Sequence, residues 1–148
     1  MNKMELKFSS KLENESLARN AVSTFISCLN PTLEEIGEIK TIVSEAVSNA
    51  IIHGYEFDED KDVILKCIIE NRRVTITVTD FGVGIKDLEI AKTPHFSSRP
   101  DLERAGMGLT IMETLCDDFD IRSIYGMGTK VVLVKEINNI YASEGEKV

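Results

Sequence analysis

Two β-branched runs set three residues apart, VILKCII at 63–69 and RVTITVTD at 73–80, constrain this chain's fold more than any other stretch. Their alternation and their Val, Ile and Thr content predict an antiparallel hairpin of central strands turning at Glu70, Asn71 and Arg72. FDIRSIY at 119–125 and TKVVLVKEI at 129–137, joined by Gly126-Met127-Gly128, predict a second hairpin, and MELKF at 4–8 an opening strand. Helical periodicity occupies the rest. Across residues 13–29, Leu17, Ala21, Phe25 and Cys28 together with Ala18, Val22, Ile26 and Leu29 form a broad apolar face, with Arg19 turned outward. Asn30-Pro31 ends that helix, and Thr32 with Glu35 has the spacing of a capping box. The second helix is expected to run to about His53, with Leu33, Ile36, Ile39, Val43, Val47 and Ala50 in the core and Gly54 as its stop.

Between the hairpins, residues 81–105 lose all periodicity, long enough for a functional lid, and a short helix is expected from Gly108 to Cys116. The whole predicts an α+β two-layer sandwich: a mixed, mostly antiparallel sheet with helices on one face. With 148 residues, 43% of them hydrophobic, we expect a single domain over residues 1–137 and a flexible polar tail over 138–148.

A formal net charge of -8 argues against direct DNA binding, which needs clustered Lys and Arg, so any anionic ligand must be gripped locally. The first ten residues lack the apolar core of a signal peptide, and no run approaches the roughly 20 apolar residues of a membrane span, so a soluble cytoplasmic protein is expected. Cys28, Cys67 and Cys116 are odd in number and far apart, which predicts buried reduced thiols and neither a disulfide framework nor a zinc site.

Three short elements carry chemistry. Glu45 and Asn49 are one helical turn apart, and their oxygens suit a hard cation such as Mg²⁺. His53, one turn further, sits where it can cap the helix end. Asp80-Phe81-Gly82-Val83-Gly84 follows a strand, where a carboxylate can accept from the adenine amine and glycines let backbone approach. Gly106-Met107-Gly108 opens a helix, whose free N–H groups and dipole favour phosphate. Each also occurs in plain structural settings: a solvated helix face, a glycine turn, a hinge. Their order along one chain is the specific signal, and it comes without a P-loop or a protein-kinase motif set.

These residues resemble the GHKL ATP-binding family, shared by type II topoisomerases, a heat-shock chaperone, mismatch-repair proteins and histidine kinases. EAVSNAIIH at 45–53 is similar to its N box, Asp80 to Gly84 to its first glycine box, and Gly106 to Leu109 to its second. NESLARNAVSTF, TIVSEAVSNAIIHGY and PDLERAGMGLTIMETLCDD extend the likeness to a sporulation anti-sigma branch of the family over nearly the whole chain. That resemblance implies an ATP, ADP and Mg²⁺ site, a sigma factor that is held, and a serine of an anti-anti-sigma protein that is phosphorylated by a homodimer. It implies Glu45 as general base, Asn49 as Mg²⁺ ligand, Asp80 on the adenine amine and Thr129 near it through water. Gly82, Gly84, Gly106, Met107, Gly108 and Leu109 would shape the pocket, Arg104 would lie beside the phosphates, and Arg19 would meet the partners. Lys92, Arg99 and Arg104 supply mobile positive charge in the lid; each also reads as a solvated loop charge, the favoured reading for Lys92. Two alternatives stand beside this: a nucleotide-gated binding module that moves no phosphate, and a stress-response anti-sigma kinase sharing all three boxes.

Overall fold

The computed structural model describes residues 1–86 and 108–138. Five strands, β1 (Asn2–Ser9), β2 (Asp62–Glu70), β3 (Arg73–Asp80), β4 (Asp118–Ile124) and β5 (Gly128–Glu136), form one sheet in the order β1-β2-β3-β5-β4. Every pairing in it is antiparallel. Among the described residues three α-helices, α1 (Asn14–Phe25), α2 (Leu33–Asn49) and α3 (Gly108–Leu115), cover one face.

Period-two alternation builds the inner face of the sheet. Val63, Leu65, Cys67 and Ile69 of β2, Val74, Ile76 and Val78 of β3, and Val131 and Leu133 of β5 are buried. The helix layer answers with Ala18 and Val22 of α1, Ile39, Ile42, Val43, Ala46 and Val47 of α2, and Met112 of α3. Each such aliphatic side chain contributes about 1.5–3 kcal/mol on burial, so this interface is the main source of stability.

Polar stitches fix the layers in register. Lys135, on the inner face of β5, donates to Glu38 Oε1 of α2 and to the carbonyl of Leu115 at the end of α3, both at 2.8 Å. Arg72, in the β2–β3 turn, donates to Leu29 O and to Ile137 O, both at 2.6 Å. At the start of α2 the expected capping box is present: Glu35 N donates to Thr32 Oγ1 at 3.0 Å and Thr32 N to Glu35 Oε1 at 2.9 Å.

Several surface expectations are corrected. Leu33, the first residue of α2, is 87% exposed and lies outside the core. Ala18 and Val22 of α1 and Ile26 just after it are buried, while Leu17 is half exposed. Leu17, Asn20, Ala21, Thr24 and Phe25 line an open apolar groove against Met4 of β1. Cys28 is exposed at the short 3₁₀ turn after α1; Cys67 is buried and Cys116 half-buried. Arg19 is not fully outward: it pairs with Glu15, whose carboxylate also accepts from Ser44 Oγ of α2 at 2.5 Å. Asn138, expected in the frayed tail, donates from its backbone N–H to Glu35 Oε2 at 3.0 Å.

Candidate nucleotide site

The site is built where the end of α2 meets the end of β3. After Asn49 the helix widens into a π turn, Ala50–Gly54, and Tyr55 N reaches back to Ala50 O at 2.9 Å. Such turns concentrate at functional sites because they redirect a helix end without breaking it. Here the redirected end lies against the Asp80-Phe81-Gly82-Val83-Gly84 loop. Val83 N donates to Gly54 O at 2.9 Å, and a Cβ on Gly82 would stand 1.9 Å from that same oxygen. A Cβ on Gly54 would stand 2.6 Å from Asp80 Oδ1, so helix and strand touch through two bare glycine backbones.

Asp80 is 5% exposed, and burial pushes its carboxyl up to about 6 against the opposing pull of hydrogen bonds from the Gly82 and Thr129 N–H groups. At neutral pH it is therefore a largely buried carboxylate, an acceptor suited to an amine donor.

The far side of the loop is held by the β4–β5 hairpin. Gly84 takes φ +75°, and a Cβ there would stand 2.3 Å from Ile124 O. Gly126 N donates to Val83 O at 2.5 Å, and Ile85 N to Ser123 Oγ at 2.7 Å. Ser123 Oγ donates to Gly128 O at 3.1 Å and lies 2.8 Å from Thr129 Oγ1. With the single Ser123 proton directed at Gly128, the Thr129 hydroxyl donates to Ser123 and keeps its own oxygen for a donor from outside. Thr129 faces Asp80 directly across the β3–β5 ladder.

Glu45 and Asn49 are half-buried on α2, one turn apart beside the buried stripe. Asn49 and Glu45 precede Gly54, which lies against Asp80, by five and nine residues along the same helical run. Gly108 is buried at the first turn of α3 and Leu109 packs against the core. The structure thus brings Asp80, Gly82, Gly84 and Thr129 together around one loop, with Glu45 and Asn49 on the helix whose π-turn extension meets it. Arg19 lies on α1, apart from this loop. Arg104, Gly106 and Met107, with Lys92 and Arg99, lie outside the described residues. Sequence reasoning missed Tyr55 and Ser123 and read Gly54 only as a helix stop. A tyrosine directly after the Gly54 stop was the one available signal; Ser123 sits within an ordinary strand pattern and gave none.

Among the described residues no group of three or more His, Cys, Asp and Glu could hold a metal ion. A cation here would take its remaining ligands from nucleotide phosphates and water, as Mg²⁺ does.

Comparison with known proteins fits this geometry. Residues 8–135 match the histidine kinase-like ATPase domain family. The chain is similar to the anti-sigma F factor of Clostridium perfringens (strain SM101 / Type A), 53% identical over 137 residues that cover 93% of this chain and 98% of that one. It is also similar to the anti-sigma F factor of Bacillus velezensis, 50% identical over 137 residues covering 93% and 94%. Among solved structures, the RsbU and RsbW domains of a Mycobacterium tuberculosis protein superpose with a TM-score of 0.67 at 17% identity, covering 93% of this chain and 33% of that one. The fold, the two-sided clasp on an Asp-x-Gly-x-Gly loop and near-complete alignment converge: this chain belongs to the anti-sigma F factor family, within the histidine kinase-like ATPase domains.

Proposed function

We propose that this protein binds ATP with Mg²⁺, holds a sporulation sigma factor of the sigma-F type, and phosphorylates a serine of the anti-anti-sigma protein that releases it. The observation that carries this reading is the seating of the α2 end on the Asp80 loop. With that seating, α2 carries Glu45 and then Asn49 toward the buried carboxylate of Asp80, and in the proposed reading these three serve the serine proton, the cation and the adenine amine of one nucleotide.

In the proposed reaction Asp80 accepts from the adenine amine. Asn49 would hold a Mg²⁺ through its amide oxygen, and the ion would supply charge neutralisation for the phosphates. Glu45 accepts the serine proton as the serine oxygen bonds to the γ-phosphorus; the bond to the β–γ bridging oxygen breaks and ADP leaves. Phosphoryl transfer depends chiefly on positioning and charge stabilisation, so one oriented carboxylate suffices as base. The protein acts as a homodimer, with Arg19 on α1 meeting either partner, so that phosphorylation decides which one stays. No helix among the described residues is long and apolar enough to cross a membrane, and the negative net charge fits a regulator that acts on proteins in place of DNA.

Incubation with Mg-ATP labelled at the γ position and the anti-anti-sigma protein tests the reading. Label should appear on one serine, and Glu45→Ala should lower transfer by about 10²-fold or more while leaving ATP bound. Unchanged transfer in that variant removes Glu45 as base. ATP-tightened sigma binding without any phosphoprotein would favour the nucleotide-gated module instead.

A further inference from the structure

The β2–β3 ladder runs from Glu70 paired with Arg73 to Ile64 paired with Thr79, a register that would bring Val63 opposite Asp80 and then Asp62 opposite Phe81. The strands part before reaching that pair. In the gap stands the Tyr55 phenol, which donates to Asp62 O at 2.6 Å and accepts from Phe81 N at 2.7 Å. A side chain from the end of α2 thus supplies the rung that the two strands no longer make. Tyr55 is 7% exposed, and burial raises its phenol above the ordinary value, so the hydroxyl stays protonated and can bridge donor and acceptor at neutral pH.

Phe81 N is the first backbone donor after Asp80, and Gly82 N, the next, donates to Asp80 Oδ1 at 2.9 Å. With Phe81 N held by Tyr55, Gly82 N by Asp80 and Val83 N by Gly54 O, three successive backbone groups are fixed. Two of those three anchors are Gly54 and Tyr55, consecutive residues at the end of the helix that carries Glu45 and Asn49. We propose that Tyr55 is a positioning residue for base selection: its hydroxyl sets the direction of the Asp80 carboxylate, and thereby tunes discrimination between a 6-amino and a 6-oxo purine nucleotide. The inference rests on the proposed reading of Asp80 as the adenine acceptor.

Tyr55→Phe removes one oxygen from a packed ring and leaves the ring's contacts in place, which isolates the hydroxyl. The full-length protein and this variant are titrated with ATP and with inosine triphosphate, and the affinity ratio is compared. Losing the bridge leaves two part-buried backbone groups without their partner, so the ATP preference should fall on the order of tenfold, chiefly through weaker ATP binding. In the Asp80→Asn background the same substitution should leave the ratio unchanged, because the residue acts through that carboxylate. A merely structural role would weaken both nucleotides alike or lower stability alone, and either result overturns the proposal. An undiminished ratio in Tyr55→Phe overturns it too. If the wild-type protein itself shows no preference for ATP, the adenine reading of Asp80 falls, an outcome separable from failure of Tyr55 alone.

Discussion

The two ends of α2 follow opposite rules. At its start, Thr32 and Glu35 satisfy each other's backbone donors within four residues, and nothing beyond the helix is needed to complete the cap. At its finish, the α pattern gives way to a π turn, and Gly54 O and the Tyr55 hydroxyl bind residues nearly thirty positions later. A helix end that closes on itself is a structural stop. An end that needs partners from another strand transmits its position to that strand, and here the strand ends in Asp80.

That contrast can be broken experimentally, and the largest effect belongs to the open end. Gly82→Ala would push a methyl into Gly54 O, so α2 and the loop must separate. We expect a loss of about 3 kcal/mol in unfolding free energy and loss of measurable ATP binding, read by urea denaturation and calorimetric titration. Wild-type nucleotide affinity in this variant would show that the two backbones need not touch.

Next in size is the pH response of Asp80. Its folded carboxyl sits at about 6, above the ordinary 3.8, so the folded state binds the extra proton between those values. The contribution of this group to stability is therefore complete below pH 4 and is lost as pH rises through about 6, a change of about 3 kcal/mol at most. Affinity for ATP runs the other way, weakening as pH falls through 6 and the carboxylate is protonated. Denaturation of the wild type and Asp80→Asn at pH 4.5 and 7.5 should show the stability difference between them changing across the window; a constant difference would remove burial as the cause.

The smallest effect belongs to the closed end. Thr32→Ala deletes half of the capping box, and about 1 kcal/mol of stability should disappear with ATP affinity unchanged at saturating folded fraction. A fall in affinity comparable to that of Tyr55→Phe would mean that the start of α2 also reports to the site, and the distinction between its ends would not hold.

Much of this was legible beforehand. The hairpins were visible because their inner positions alternate with threonine and charge, so only one pairing face was possible. The Asp80 loop and the Glu45/Asn49 spacing were visible because chemistry fixes residue types at short range. Leu33 misled because apolarity predicts burial only where another layer covers the position, and the Leu33 side chain is left 87% exposed. Cys28 misled likewise at an uncovered 3₁₀ turn.

The sequence by itself determined where α2 starts, which strands pair locally, which residues could hold an amine, a cation and a proton, and the family likeness. Only the tertiary structure decided that the far end of α2 reaches Asp80. The Gly54, Tyr55 and Ser123 contacts join residues from 26 to 38 positions apart. No local rule specifies them: they exist because the two hairpins and the helix are packed on one sheet, and packing alone brings a π-turn carbonyl, a phenol and a strand hydroxyl onto the same loop.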